Sequence, residues 1–556
     1  MKSILVFLFF CSFTRGINNN LIDIYDLKIE EVFEVDSIII NVRSAFEGSK
    51  VNWEFEKYLF KLGNSIHHNT RIRVIESLLL FSKNDKVNRE ILIESEINLR
   101  SKTFLADARI KIKEELDGKN YIHVTVFDQW STVPATGLKR IGDQWTYWAG
   151  LSEKNLFGTG LKISFSVHKK LRARGYTLAY KNHNLLNKKT IYSTDYTKNN
   201  NGYYFESSIN KPVISNSQKF SFLINYIESK GPVWYYFNGN NFNTTSKEEY
   251  SIGQTNLLIK FENVFRKSAT IGFTKSYGDK IRFHLSTFSQ LFQQTHLGRT
   301  IVYHDNDVND NLVIQYRRDA LLGISFKLNK NRYSRIKNLT NLKWHEDFNK
   351  NTGLTIFMGK NSKFLGADNE DYLLGCNLEY SNSHNSKHFF ITKSSYKYFL
   401  SDYSKKRNGD LDLKFNYISK LTKDINAYIS SQWKSNIGKL KTDQVTLGES
   451  SGLLGYPNFY FTGDRLCLIN TELVLIPDLE VFTIIPAIAI FSSSGNTFQS
   501  TEKIKLNNLN SSIGIGLRLG LSRSSDKIIS HINLSWPLNS LLKGGPILSI
   551  KSKKEI

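Results

Sequence analysis

Few side chains in this sequence have a type and spacing that could support chemistry. His67 and His68 are the one adjacent pair of histidines. Neighbouring side chains point to different sides of a helix or a strand, so these two imidazoles are not placed to share a metal ion. We interpret the pair as part of a polar loop. A phosphate-binding loop and the His-Glu-x-x-His pattern of zinc peptidases are both absent. We therefore expect no catalytic residue, no metal and no cofactor, and a protein that is not an enzyme.

The cysteines are equally sparse. The chain has three, namely Cys11, Cys376 and Cys467, and the first lies in the leader described below. Three cysteines exclude a framework of several disulfides. A bridge between Cys376 and Cys467 stays open, although two unpaired residues on strands are the favoured interpretation.

The first residues predict export. Lys2 is followed by the apolar run Ile4 to Phe10 and then by small or polar residues through Gly16. This order is typical of a signal peptide, here residues 1–16. Lipidation at Cys11 is disfavoured, because bulky Phe10 stands where a small residue is needed. No later segment approaches the roughly 18 apolar residues of a membrane-spanning helix, so the mature chain is secreted, periplasmic or a β-barrel.

The formal net charge of +23 first suggests a nucleic-acid-binding protein. The lysines, however, are spread along the chain and form no basic helix or recognisable binding motif. A wet, basic lumen or surfaces that face anionic lipid explain the charge as well. We expect no nucleic acid among the partners.

Residues 31–132 show both structural periods. A strand is predicted at 35–42, and Thr70 and Asn88 are suited to cap two helices, the second of which runs to about Leu99. Alternating strands follow at 109–113 and 121–127. The order β-α-α-β-β predicts a compact α+β unit.

From residue 145 to 556 the helical period disappears and polar and apolar residues alternate. Representative segments are 161–167, 281–285, 411–417 and 513–519. A region of this length is too long for one β-sandwich, and a closed barrel removes exposed sheet edges. At about 25 residues per strand and loop, it accommodates about sixteen antiparallel strands. Repeated soluble β-domains are the alternative, but no fixed repeat favours them.

The run from Gly150 to Gly160, with the stretch 176–212 after it, resembles the start of the barrel in the BamA/TamA outer-membrane assembly factor superfamily. The resemblance implies a seam between the first and last strands of the barrel. The implied seam residues are Asn155, Leu156, Phe157, Gly158 and Gly160 on the first strand and Ile547, Leu548 and Ile550 on the last.

A second resemblance covers the sixth extracellular loop of that superfamily, which folds back into the lumen. The implied loop motif consists of Leu454, Gly455, Tyr456, Pro457, Gly463, Asp464, Arg465 and Glu472. The segments 491–495, 513–519 and 532–537 resemble the strands that follow.

This sequence departs from the superfamily pattern at three places. Leu454 stands where the loop has arginine, Ser493 stands where the wall has aspartate, and the chain ends in Ile556 instead of an aromatic residue. An ion pair between loop and wall is therefore lost. Tyr456, Asp464 or Arg465 could substitute for it, or the loop could be looser.

The N-terminal unit resembles a POTRA domain, the polypeptide-transport module of the superfamily. Four segments resemble a subgroup with a single POTRA domain: Thr70-Arg71, 94–96, Leu99-Arg100 and 128–130. The resemblance implies an α+β N-terminal POTRA-like domain at 31–132, followed by an all-β transmembrane barrel at 145–556.

The function implied by the resemblance is assembly, insertion or translocation of proteins at the bacterial outer membrane, with the N-terminal domain in the periplasm. Implied partners are outer-membrane lipid, unfolded or extended client polypeptides and possible periplasmic accessory proteins. Two alternatives stay open. One is a passive channel or structural barrel that has lost insertase activity, and the other is a dedicated secretion pore for one substrate.

Overall fold

The fold is taken from a computed structural model of the chain. It describes residues 21–554 except for 29–30, 46–53, 56, 59–60, 62–66, 115–118, 135–136, 142–143, 171–172, 187–188, 216–217, 219, 237–257, 278–280, 295–298, 304–316, 341, 343–344, 402–407, 438–443, 482–483, 522–527 and 539–545. The predicted signal peptide at 1–16 and Cys11 lie outside the described residues.

The N-terminal domain packs two helices against a four-stranded sheet of order β1-β5-β6-β3, in which β3 runs parallel to β6. Its core holds apolar side chains of both helices and of the sheet, such as Ile75, Leu92 and Val124. The predicted order β-α-α-β-β is present as β3-α1-α2-β5-β6, with three short strands added. The elements are β1 (Ile22–Asp23), β2 (Val32–Glu34), β3 (Ser37–Arg43), α1 (Ile72–Leu78), β4 (Lys86–Asn88), α2 (Arg89–Arg100), β5 (Leu105–Glu114) and β6 (Asn120–Asp128).

One of the two predicted helix caps is confirmed. The side chain of Asn88 accepts a hydrogen bond from the backbone N–H of Ile91 at 3.0 Å, as an N-cap should. The Thr70 prediction is wrong, because α1 begins after Arg71 and has no side-chain cap. The hydroxyl of Thr70 instead donates to the carboxylate of Asp128 at 2.7 Å.

The rest of the chain forms a closed antiparallel barrel. Its strands are β7 (Thr132–Pro134), β8 (Gly137–Ile141), β9 (Gln144–Glu153), β10 (Leu161–Lys170), β11 (Ala173–Leu185), β12 (Thr190–Asn199), β13 (Gly202–Lys211), β14 (Phe220–Tyr236), β15 (Leu258–Tyr277), β16 (Ile281–Gln294), β17 (Arg299–Tyr303), β18 (Arg317–Lys337), β19 (His345–Asn361), β20 (Asp371–His384), β21 (His388–Ser401), β22 (Asn408–Lys420), β23 (Ile425–Ile437), β26 (Arg465–Leu475), β27 (Ile484–Phe498), β28 (Asn510–Leu521), β29 (Ile528–Pro537) and β30 (Ile547–Lys554). Between β23 and β26, β24 (Val445–Leu447) and β25 (Phe461–Gly463) form a separate two-stranded sheet.

The barrel wall differs from the prediction in size. In the described part of the chain the closed sheet contains twenty-two strands, including the short strands β7, β8 and β17, and not about sixteen. Several connections are tight turns, such as the two residues between Asn199 and Gly202, so each strand and loop uses fewer residues than assumed. The wall also begins earlier than residue 145, because β8 pairs with β9.

The predicted alternation is present along the wall. In β10 the outward side chains are apolar, including Ile163, Phe165 and Val167, while inward positions hold Lys162 and Ser164. The same pattern recurs in β28, where Ile513, Ile515 and Leu517 are exposed on the outside. Among the described residues, no helix is both long and apolar enough to cross a membrane.

Candidate functional site: the seam, the lumen loop and the domain joint

The barrel closes at one weak position. The last strand β30 pairs with β29 along eight residue pairs, from Ile528 with Lys554 to Ser535 with Ile547. Among the described residues, its pairing with β8 on the other side is one residue pair, Ser549 with Ile141. Each unpaired backbone N–H or C=O lacks the ladder hydrogen bond that stabilises the other strand pairs. This place, the seam, is therefore the weakest line in the described wall.

The pairing corrects the predicted first strand of the seam. Residues 155–160 form a turn with a short 3-10 helix between β9 and β10, and both of those strands are fully paired within the wall. Asn155, Leu156, Phe157, Gly158 and Gly160 therefore do not line the seam. Of the predicted last-strand residues, Leu548 and Ile550 pair with β29 on the outward side, and Ile547 faces inward.

The 155–160 turn instead joins the barrel to the N-terminal domain. The amide of Asn155 donates to the Thr70 hydroxyl at 2.8 Å, and its oxygen accepts from the Gly160 N–H at 2.7 Å. The Arg71 backbone N–H donates to the Gly158 carbonyl at 2.9 Å. Two motifs that the sequence places far apart therefore meet in one contact.

The two glycines of this turn are required by close approach and by backbone conformation. Both have a φ of +72°, which favours glycine. A Cβ on Gly158 would stand 2.3 Å from the Asn69 carbonyl oxygen, and one on Gly160 would stand 2.9 Å from the Phe104 ring. Their function is to let the domain touch the turn.

The two histidines of the predicted polar loop have separate partners in this joint. His67 stacks on Trp130, and its Nε2 lies 3.4 Å from the buried carboxylate of Asp128. His68 meets the edge of Phe157 with ring centroids 6.0 Å apart. Across the described residues, no group of three or more potential metal ligands is found. Cys376 and Cys467 are both unpaired, on β20 and β26.

A buried ion-pair cluster forms a second contact between domain and barrel. The guanidinium of Arg100 at the end of α2 donates to both carboxylate oxygens of Asp347 on β19, at 2.9 and 2.7 Å. It also pairs with Glu96, whose carboxylate accepts from the Tyr25 hydroxyl at 3.1 Å. Burial, with the nearby Glu96 charge, raises the pKa of Tyr25 to about 12.

The turn between β18 and β19 crosses the end of the barrel that faces the domain, here called the domain end. The carbonyl of Leu339 accepts from the Tyr428 hydroxyl at 2.7 Å. Leu342 packs with Val474, Ile485 and Ile529, which lie on strands well separated from β18 around the wall. The described residues of this segment, 338–340 and 342, are here called the mouth turn, and Asp347 lies on the strand that follows.

The predicted lumen loop does lie against the inner wall. It comprises residues 445–463, with β24 and β25 paired as its stem. Tyr456 is fully buried, and its hydroxyl donates to the Ser511 carbonyl at 3.0 Å. Gly455 has a φ of +82°, and a Cβ there would stand 2.9 Å from Ser512. The backbone N–H of Leu454 donates to Ser493 Oγ at 3.2 Å.

A charge pair that sequence reasoning missed holds this loop to the seam strand. Glu449 is fully buried, and its carboxylate lies 3.1 Å from Nζ of Lys551 on β30. The same ammonium donates to the Glu449 carbonyl oxygen at 2.6 Å. The second carboxylate oxygen of Glu449 accepts from the Gly455 N–H at 2.9 Å. The loop is thus docked without an arginine at position 454.

Three other predicted motif residues lie outside the lumen loop. The carboxylate of Asp464 accepts from the Ser500 N–H at 2.8 Å, and Arg465 donates to the Gln499 carbonyl at 2.6 Å. Both therefore bind the connection after β27 at the barrel end opposite the domain, the far end, and not the lumen. Glu472 is on the inner wall, where Arg518 Nε donates to it at 2.7 Å.

One segment of the lumen loop matches a sequence pattern of hydrolases. Residues 448–452 read Gly-x-Ser-x-Gly, the pattern of a hydrolase nucleophile. Ser450 is exposed, and among the hydrogen bonds of the described residues none joins its hydroxyl to a histidine. The pattern is part of the lumen loop, and Glu449 in it is fully buried.

Comparisons with known proteins find fold similarity alone. No protein-family model matches the sequence, and no curated protein matches it. Among solved structures, CdiB from Escherichia coli aligns over 96% of this chain and 93% of its own, at 10% identity and a TM-score of 0.44. CdiB from Acinetobacter baumannii aligns over 94% and 74%, at 11% identity and a TM-score of 0.44. BamA from Haemophilus ducreyi lacking POTRA domains 1–3 aligns over 93% and 84%, at 12% identity and a TM-score of 0.38.

Proposed function

We propose that this chain is a β-barrel of the bacterial outer membrane that inserts or translocates polypeptides, with a POTRA-like N-terminal domain in the periplasm. The observation that carries the proposal is the seam. Most neighbouring strands of the wall share long ladders, whereas the described residues of β8 and β30 share one residue pair.

The outward surface supports a membrane location. Its exposed side chains are apolar over the middle of the strands, while the inward side is polar, which is the pattern of a transmembrane barrel. In lipid, an unpaired backbone group costs several kcal/mol. An open seam is therefore unfavourable in a bilayer unless another strand pairs with it. A client strand supplies that pairing.

The N-terminal domain supports the receipt of an extended client. Within the described residues, β3 is an edge strand of the four-stranded sheet and pairs with β6 on its inner side. An extended polypeptide can add to such an edge through backbone hydrogen bonds that tolerate many sequences. Unfolded clients, membrane lipid and accessory periplasmic proteins are the partners that this role requires.

The docked lumen loop argues against a passive channel. A loop that has lost its arginine could have become loose and left the lumen open. Here Tyr456 and Glu449 are fully buried, and Lys551 ties the loop to the strand that must move when the seam opens. A loop coupled to the seam suits a gated barrel.

The test is a reversible lock across the seam. Cysteines replace Ile141 and Ser549 in a chain whose Cys376 and Cys467 are serines, and the outer-membrane and culture-medium proteomes are measured with and without reductant. We expect the oxidised variant to lose client proteins and the reduced variant to recover them. The control lock joins Leu534 and Leu548, which already pair along a long ladder.

The pattern of loss identifies the role. Loss of many barrel proteins supports a general insertase, and loss of one or two supports a dedicated secretion pore. An unchanged proteome with the seam fully cross-linked refutes the proposal and leaves the passive channel as the function.

A further inference from the structure

A row of basic side chains crosses the outer surface of the barrel near its far end. Cross-strand register places Tyr147 opposite Lys169 and Lys169 opposite Arg174. On the next strands, Lys198 lies opposite both Tyr176 and Tyr203. Lys230 lies opposite both Tyr203 and Phe265. The cations of this basic row are Lys169, Arg174, Lys198, Lys230 and Lys267.

These side chains face outward. Lys169 continues the series of Ile163, Phe165 and Val167, the exposed apolar positions of β10. Lys267 belongs in the same way to the face of β15 that carries exposed Ile271 and Phe273. The basic row therefore borders the apolar band and does not line the lumen.

Three of the ammonium groups lie over aromatic rings. Lys169 Nζ lies 5.8 Å from the centroid of Tyr147, and Lys198 Nζ lies 5.9 Å from that of Tyr203. Lys267 Nζ lies 4.9 Å from the centroid of Phe265. A ring beneath a cation attracts it and keeps it at a fixed level of the wall. Aromatic residues are also typical of the boundary between lipid tails and headgroups.

The basic row carries excess positive charge. The carboxylate that register places within it is Glu228, opposite Lys267. Glu228 accepts from the Tyr203 hydroxyl at 2.5 Å and lies 3.4 Å from Lys267 Nζ. Arg174, Lys198 and Lys230 are exposed, so their charges are available to an external anion.

The other half of the wall lacks such a row. Across the described residues of β20 to β30, the outward cation at the far end is Arg465. Nη2 of its guanidinium donates to the carbonyl oxygens of Gln499, Ser500 and Glu502, which hold the group against the connection after β27. On β18 and β19 the outward cations at the far end are Arg318 and Lys360, and Lys360 Nζ lies 3.0 Å from the Glu370 carboxylate. The longest run of outward cations on neighbouring strands therefore lies on β10 to β15.

We propose that the basic row binds the phosphate groups of lipopolysaccharide in the outer leaflet. Phosphate oxygens accept strong hydrogen bonds from ammonium and guanidinium groups, and each basic residue at a membrane surface adds to the attraction of an anionic lipid. The row lies at the end opposite the N-terminal domain, which is the outer-leaflet side. This assignment rests on the proposed outer-membrane location, but not on polypeptide transport.

The test uses the full-length protein in neutral detergent micelles, titrated with purified bisphosphorylated lipid A and followed by native mass spectrometry. The variant K169Q/K198Q/K230Q removes three cations of the row. The matched control K393Q/K414Q/K434Q removes three lysines whose register places them on the lumen side. Circular dichroism checks that both variants keep the β-barrel.

We expect saturable binding to the unaltered protein and to the control, and binding at least about tenfold weaker to the row variant. Lipid A without phosphates should bind as weakly. Equal binding by the two variants, or equal binding of phosphatidylglycerol and lipid A to the unaltered protein, overturns the proposal. Failure of the seam lock to affect the proteome would refute polypeptide transport and leave this binding result unchanged.

Discussion

At the scale of single residues, the pair of Glu449 and Lys551 is the contact that couples the lumen loop to the seam. A buried carboxylate without its cation, or a buried cation without its carboxylate, lowers the stability of the folded protein. The contact therefore stabilises the docked loop only while both partners are charged.

The first prediction removes one charge of this pair. Glu449→Gln should loosen the loop, with a cost of about 3–5 kcal/mol for breaking a buried pair, and should raise the single-channel conductance in planar bilayers. The exchange E449K/K551E should restore part of the original conductance. Glu379→Gln is the control, because Glu379 pairs with Lys327 elsewhere on the inner wall. Identical conductance of E449Q and the unaltered protein would contradict the coupling.

The partner of a side chain could be predicted only where it lies close by in the sequence. Asn88 was correctly predicted as a helix cap, because its partner Ile91 lies three residues away. Thr70 was not, because its hydroxyl is taken by Asp128, 58 residues along the chain. The Glu449 partner Lys551 lies 102 residues away, and no local pattern signals such a pair.

At the scale of elements, α2 brings a buried lysine against the barrel. Lys102 follows α2 and is 5% exposed. Burial and the charges of Lys181 and Lys189 on the barrel lower the pKa of Lys102 to about 8. The unfolded chain keeps the ordinary higher pKa, so between about pH 8 and 10.5 it binds a proton that the folded chain has released. Stability should therefore rise with pH across that window.

The second prediction follows from this linkage. Lys102→Met should raise the stability of the N-terminal domain at pH 7 by up to about 3 kcal/mol and remove its rise toward pH 10. Thermal unfolding followed by circular dichroism at 222 nm measures it, because α1 and α2 lie in this domain. Lys86→Met, at an exposed position, is the control. A pH dependence that survives in K102M would refute the assignment.

Elements were predictable where the pattern itself encodes them. The alternation at 161–167 and 513–519 gave strands with the correct outward face, because every second residue of a strand points the same way. The strand count was not predictable, because it depends on turn lengths. The role of residues 155–160 was also hidden, since the carbonyl of Asn69 that requires Gly158 comes from another domain.

At the scale of the whole molecule, Arg100 and Asp347 fasten the domain to the barrel. The third prediction is that Asp347→Asn frees the domain, since Arg100 loses a bidentate carboxylate and such a loss costs about 3 kcal/mol. Spin labels at Lys86 and Lys423 should then give a broader distance distribution. Asp424→Asn, in a turn at the same end of the barrel, should leave the distribution narrow. Equal distributions for the two variants would show that other contacts hold the domain.

The mouth turn at one end and the lumen loop at the other stand in series along the same path. One is tied to the N-terminal domain through Asp347, and the other is tied to the seam through Lys551. Under the proposed function, dissolved ions would meet an obstacle at either end until a client engaged both the domain and the seam. The permeability of a membrane that holds many copies would then depend on how many barrels carry a client and not on how many barrels are present.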